Sequence, residues 1–329
     1  MPLEIIKRIL SSVGGRSPLK SRLEELLLNL HVSDVYLLSY DAIQIISDNI
    51  SGSENFKQFN TIISDIVGVK ESYALPAPIY AVLDLISRRL EKIDNSKGFN
   101  AAKREAMETV NIILNELNYE IEDSKSNLLS LIGGESSICI GTYNSIILDA
   151  LRSKRSSTLN VIAWERFPFL DGRRAARELK RSRFKSFYVP DINLHWAINS
   201  TDVIIVPFYS VEHDNIIVDA GSRVPVLLAK DEGVKTIAVG LDLTLYTAGL
   251  KTRKSLAKSY LVDVSILPGI DSKDWSIRIS LFERLSIREI DYIVVSSQIL
   301  KEPDETSLYQ TAERLIDRVE KAVGLKPAS

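Results

Sequence analysis

The sequence predicts an α/β protein with an amino-terminal helical part followed by a doubly wound, mainly parallel sheet. Two observations carry that reading. Residues 1 to about 128 hold leucines and isoleucines at helical spacing and few strand signals. From Ser137 onward, short β-branched runs (Ile138 to Ile140, Leu159 to Trp164, Val203 to Val206) are each followed by a helix-like stretch. Gly133-Gly134 stands between the two regimes. The expected division is a helical domain over 1–128 and a Rossmann-like domain over 129–329. In such sheets ligands bind just past the carboxyl ends of the strands, so function should be legible there.

In the first part, Ser17-Pro18 begins a helix through Leu30 with Leu19, Leu23, Leu26, Leu27 and Leu30 on one stripe. Ser33 or Asp34 caps the next, Val35 to Ile50, and Ser51-Gly52-Ser53 breaks it. A third helix spans Asn55 to Val67. Gly68 to Pro78 reads as a connector, and Pro78 opens Ile79 to Ile93. Phe99 to Leu131 reads as a longer helix, stopped by the glycine pair. In the second part the expected strands are Ile138–Gly141, Val161–Trp164, Ser186–Val189, Val203–Val206, Thr236–Gly240 and Tyr292–Val295. The expected helices are Ser145–Leu151, Arg173–Arg181, Leu194–Asn199, Ser222–Glu232 and Thr306–Val323. About six parallel strands follow, and Leu241 to Ser286 reads as an irregular, charged insertion.

Composition narrows the function. The chain is 45% hydrophobic and 26% charged, as a globular protein should be. With 41 basic and 43 acidic residues, the formal charge is −2, so no broad nucleic-acid surface and no direct nucleic-acid contact are expected, while a local basic patch is compatible with the balance. The single cysteine, Cys139, excludes an intrachain disulfide and a cysteine-based zinc site, and it reads as a buried core thiol. His31, His195 and His213 are scattered, so neither a histidine-based metal site nor a Ser-His-Asp triad is indicated. His213-Asp214 reads as a solvent turn. No stretch approaches the roughly 18 apolar residues of a membrane span, and Met1 to Leu10 lacks a signal-peptide core. A cytoplasmic location without membrane contact, cofactor or metal is the expectation.

The strand ends supply the candidate site. Neither a Walker loop nor a G-x-G-x-x-G motif occurs. Thr142, Tyr143, Asn144 and Ser145 lie between a strand and a helix, where backbone N–H groups can hold a phosphate; the alternative is capping by Thr142, Asn144 or Ser145. Glu165 can accept from a sugar hydroxyl, and Arg166 can pair with a phosphate or a partner chain. An ion-paired surface loop fits the same residues. Asp171 caps a helix rich in arginine and lysine through Arg183, a solvated cationic face. Asp191 can reach a ribose-like diol or cap the helix at Asn193. Pro207-Phe208-Tyr209-Ser210 reads as an apolar, aromatic turn lacking an acid.

These segments resemble the α/β/δ regulatory subunits of translation initiation factor 2B. They also resemble the related ribose-1,5-bisphosphate and methylthioribose-1-phosphate isomerases. Cys139 to Ser145 stands where the family has a strand ending in Thr-His and a following Ser. Glu165-Arg-Phe-Pro-Phe-Leu-Asp-Gly-Arg173 stands where it has Glu-Ser-Arg-Pro-Leu-Leu-Glu-Gly-Arg. Asp191, Asp202 to Val206, Gly221-Ser222 with Leu227 to Lys230, and Ile290 to Ile293 match further strand and helix patterns. The likeness covers roughly 137–240 and 285–300. It implies dimerisation through the sheet half, contact with initiation factor 2, and a phosphorylated small molecule in the relatives' site.

The departures bear on chemistry. The isomerase cysteine position is Tyr143 and the preceding histidine position is Thr142. Tyr209 replaces an acid in the family's Val-Gly-Ala-Asp turn. Phe167 replaces the substrate-gripping arginine, with Arg166 adjacent. The family's Asn-Lys pair falls near Val218-Asp219, so its lysine is absent; Asp219 and Gly221 remain candidate ligand contacts. Aldose–ketose isomerisation needs an acid and a base at the sugar carbonyl, and a phenol with a pKa near 10 replaces neither at neutral pH. The expectation is a non-catalytic regulatory or assembly subunit forming homo- or heterodimers. The alternatives are a sugar-phosphate isomerase using other groups, or a sensor of nucleotides or sugar phosphates.

Overall fold

The computed structural model describes residues 17–31, 34–154, 159–182, 184–246, 255–259, 261–263 and 278–325. The Met1 to Leu10 segment, Ser33, Arg183 and much of the Leu241 to Ser286 insertion lie outside them. Five helices come first: α1 (Pro18–Leu28), α2 (Val35–Gly52), α3 (Phe56–Ser72), α4 (Ala77–Leu90) and α5 (Phe99–Ile132). Their starts follow from side-chain caps. Ser17 accepts from the Lys20 N–H at 3.2 Å, Asp34 from the Tyr36 N–H at 2.8 Å, and Asn55 from the Gln58 N–H at 3.1 Å. One reading is corrected: the connector placed at Gly68 is helical, and α3 runs through Gly68 to Ser72. Val69 is buried beyond the glycine, and burying it outweighs the cost of about 1 kcal/mol that a helical glycine imposes.

The second half is α/β as expected. Strands β1 (Ser137–Ile140), β2 (Asn160–Trp164), β3 (Lys185–Val189), β4 (Val203–Glu212), β6 (Lys235–Val239) and β10 (Tyr292–Val294) are parallel, in the order β10-β6-β4-β1-β2-β3. An antiparallel β11 (Ile299–Lys301) extends the β10 edge. Helices α6 (Ser145–Lys154), α7 (Asp171–Arg181), α8 (Leu194–Asn199), α9 (Arg223–Asp231) and α10 (Glu305–Ala322) alternate with the strands. The β1, β2 and β4 cores are almost entirely apolar, as strands covered on both faces must be. The strand order reverses between β1 and β4, which makes their carboxyl ends the switch point where such sheets place ligands.

Two further corrections concern that point. Pro207 to Ser210 is not a turn: β4 continues through it to Glu212 and pairs antiparallel with β5 (Asn215–Asp219). β5 in turn pairs with β9 (Phe282–Ser286), inside the stretch read as irregular, where β7 (Leu261–Asp263) and β8 (Arg278–Ser280) also pair antiparallel with each other. The β4–β5 register shifts between Phe208 and Ser210, so Tyr209 sits at a bulge, a device that re-aims a side chain. His213 and Asp214 form the tight turn between β4 and β5.

The halves are joined by buried polar contacts as well as apolar packing. Ser124 of α5 donates to the Gly240 carbonyl at 2.6 Å, and Asn127 donates to the carbonyls of Val295 and Ser296. Glu120 accepts from the Leu243 N–H at 2.9 Å and meets Arg318 of α10 at 3.3 Å; Arg318 also reaches Asp242 at 3.4 Å.

Candidate functional site

At the switch point the predicted residues separate into three groups. Thr142, Tyr209, Asp219, Arg166 and Gly221 come together. One Asp219 carboxylate oxygen accepts from Thr142 Oγ1 at 2.9 Å and from the Tyr209 hydroxyl at 3.0 Å. Arg166 stands 3.8 Å from the other oxygen, pairs closely with Asp171, and donates to the Ala220 carbonyl at 3.1 Å. Gly221, at φ +89°, lies against the Arg166 side chain, where an added Cβ would come 3.2 Å from Cγ.

Glu165 and Asp191 form a second, peripheral group. Glu165 accepts from the Tyr188 hydroxyl and from Arg173 at 3.1 Å. Asp191 neither caps its helix nor faces the centre: its two oxygens accept the N–H groups of Arg166 at 2.8 Å and Phe167 at 2.7 Å. That clasp holds Arg166 in a left-handed conformation, φ +52°, which costs a non-glycine residue roughly 1–2 kcal/mol. The turn it fixes sends the Arg166 guanidinium inward. Leu170, not Asp171, is the N-cap of α7, leaving the Asp171 carboxylate free to meet Arg166.

The third group is the start of α6. Asn144 caps it by accepting from the Ile147 N–H at 3.2 Å. The Ser145 N–H, a place for a phosphate in the sequence reading, is taken by the second oxygen of Asp34 from the helical half. A helix start favours an anion, and here the protein supplies one. Tyr143 turns outward, 4.3 Å beneath the Arg174 guanidinium. Asp34, Tyr36 and Asp171 are the site residues that sequence reasoning missed. Asp34 carried a capping signal, but nothing local reveals a contact 111 residues away.

The environment is buried and crowded. Tyr209 is 4% exposed and Arg166 6%. Tyr209 packs between Tyr36, with centroids 6.2 Å apart, and Phe282 at 5.6 Å. Tyr36 donates to the Phe208 carbonyl at 3.2 Å. The Trp164 indole lies so close over Gly141 that a Cβ there would meet it at 1.8 Å. Burial, reinforced by the Asp219 charge, raises the Tyr209 hydroxyl well above its ordinary value, so at neutral pH it is a fixed hydrogen-bond donor. Burial also raises Asp34, and the Cys139 thiol is buried and pushed up strongly. Among the described residues, three buried donors, Asn144 Nδ2, Arg166 Nε and Trp164 Nε1, have no acceptor. Among the described residues no group of three His, Cys, Asp or Glu side chains could hold a metal ion. Among the same residues no helix is long and apolar enough to cross a membrane.

A helical bundle preceding a mainly parallel sheet, with a side-chain-filled switch point, defines a two-part α/β protein. The family model described as the initiation factor 2 subunit family matches residues 41–249, more than half of the chain, and the chain belongs to that family. Its fold is similar to that of the translation initiation factor eIF-2B of Pyrococcus horikoshii OT3. That likeness has 16% identity and a TM-score of 0.62, covering 86% of this chain and 98% of that one. A chain of the tetrameric eIF2B-beta2-delta2 complex from C. thermophilum is similar at 13% identity and a TM-score of 0.61, covering 94% and 97%. The delta subunit of eIF-2B from A. fulgidus is similar at 10% identity and a TM-score of 0.63, covering 88% and 91%. No curated protein matches the sequence.

Proposed function

We propose that this chain is a non-catalytic regulatory or assembly subunit of an initiation factor 2B-like complex, acting in translation. One observation carries the reading: the groups at the switch point that could move a proton, Asp219 and Tyr209, are spent on partners within the protein. Isomerisation needs a base that can take a proton and an acid that can return it. Asp219 is held by two hydroxyl donors and faces Arg166, and Tyr209 is buried and protonated at neutral pH. The same chain presents an apolar surface elsewhere. Ile192 is 91% exposed and Trp196 of α8 56%; Val224 is also exposed, on α9, which packs against α8. Such a patch suits a protein partner, which we assign as another subunit in a dimer. The printed title of the C. thermophilum relative describes a tetramer, which accords with an assembling chain. Contact with initiation factor 2 belongs to the same reading.

The test has two arms. Purified protein should give no turnover of ribose-1,5-bisphosphate or methylthioribose-1-phosphate above background, whereas measurable conversion overturns the non-catalytic assignment. Immobilised chain should retain initiation factor 2 at micromolar concentration, and Trp196→Asp should lower the mass seen by light scattering; a monomer at all concentrations removes the dimer. A second reading, a sensor of phosphorylated small molecules, is favoured by the three unpartnered donors. A ligand at 100 times its dissociation constant would add about 2.7 kcal/mol to the folded state, which thermal-shift screening detects.

A further inference from the structure

The net charge of −2 averages over a strongly cationic strip, of which the site engages only part. Arg173, Arg174, Arg177, Lys180 and Arg181 recur at helical spacing, exposed on the outer side of α7. Some are neutralised: Arg173 meets Glu165, Arg174 meets Asp171, and Glu178 is shared by Arg152 at 2.6 Å and Arg181 at 3.7 Å. Among the described residues, Arg177, Lys180 and the neighbouring Lys185 have no carboxylate within ion-pair reach. The helix packs on β2 and β3, and β3 ends the sheet with nothing paired to its outer edge among the described residues.

That edge carries two exposed rings, Phe187 at 42% and Tyr188 at 36%. Adjacent strand residues point to opposite faces, so the rings straddle the sheet edge. Each has a cation beside it: Lys185 is 5.6 Å from the Phe187 centroid and Arg173 is 5.4 Å from that of Tyr188. Lys185 is the unpaired one of the two, and together with Arg177 and Lys180 on the adjacent helix and two accessible rings it offers what a single-stranded polyanion with aromatic units requires. The cations follow its phosphates while the rings stack on its bases.

We propose that the α7–β3 edge binds single-stranded nucleic acid, with Arg177, Lys180 and Lys185 on the phosphates and Phe187 and Tyr188 under the bases. This stands independently of the regulatory reading. An acidic protein surface would match the cations but gains nothing particular from stacked rings, and a duplex hides its base faces.

The test is fluorescence anisotropy of the full chain with labelled oligouridylate and oligodeoxythymidylate of about 12 nucleotides. A duplex of the same length and a polyglutamate peptide serve as controls. Both single strands should bind, and the tighter one names the preferred sugar. Three phosphate contacts give a salt slope of about −2, so affinity should fall about 20-fold between 50 and 200 mM salt. Phe187→Ala should weaken binding about fivefold or more without changing that slope. Arg177→Glu with Lys180→Glu should abolish binding while leaving the melting temperature unchanged. If that pair destabilises the chain, Lys185→Ala alone should reduce the slope by about 0.7. No anisotropy change at tens of micromolar protein in low salt overturns the proposal. So does polyglutamate or duplex binding as tightly as single strands with Phe187→Ala silent, which would assign the strip to an acidic protein or to general charge attraction.

Discussion

Replacing Arg166 with methionine keeps the aliphatic stem against Gly221 and removes the charge. The guanidinium is shared by Asp171 and Asp219, whose side chains are 9% and 13% exposed, and by the Ala220 carbonyl. Breaking a buried pair from one side costs about 3–5 kcal/mol, because the remaining charge is left without compensation. Two contacts soften that here. Arg174 stands 3.4 Å from Asp171, and Thr142 and Tyr209 still donate to Asp219. The expected loss is therefore at the lower end, about 3 kcal/mol, or about 1 M in the urea midpoint for a slope near 3 kcal/mol per molar. Equilibrium urea unfolding followed by tryptophan fluorescence measures it, with an unchanged slope showing that the denatured state is not altered. Adding Asp171→Asn to Arg166→Met should return part of the loss, since the orphaned charge is then removed. A midpoint equal to or above that of the wild type would refute the reasoning. Arg166 would then be held inward at a cost to stability, as functional groups are, and a ligand would have to explain it.

Glu120 and Asp242 are both raised by burial, so the folded chain holds these protons more tightly than the unfolded one. Native protons in excess make stability fall as pH rises, from the ordinary glutamate value of 4.5 up through the raised one. Glu120→Gln, which keeps an acceptor for the Leu243 N–H, should melt higher than wild type at pH 8, with the gap shrinking towards pH 4.5; a gap constant with pH would refute this. Gly172→Ala should destabilise the chain by more than about 3 kcal/mol or prevent its folding, because its Cβ would lie 1.6 Å from the Trp164 carbonyl oxygen. A soluble variant with an unchanged melting temperature would show that the β2–α7 turn can relax.

The parallel strands and their helices were legible because a short β-branched run and a helical period alternate along the chain. The antiparallel additions were not. Asn215 to Asp219 is as apolar as β1, but it follows its neighbour through a two-residue turn, and a strand-helix alternation leaves no room for it. Pro207 read as the end of a strand, yet its parallel neighbour Val239 is the last residue of β6, and the bulge at Tyr209 follows directly. At the site, the residue types were legible and their allegiances were not. Both tyrosines were expected in the cleft, but only Tyr209 is buried there, while Tyr143 lies under Arg174. Asp191 looked like a ligand contact and is instead the clasp of a strained turn, a role set by two backbone N–H groups that no sequence pattern displays.

Asp34 closes the first turns of two helices at once, one oxygen on α2 and the other on α6. A carboxylate that serves both cannot leave one without unsealing the other. The bundle and the sheet are thus latched through one side chain, so that a change which shifts α2 is felt directly where α6 leaves the end of β1.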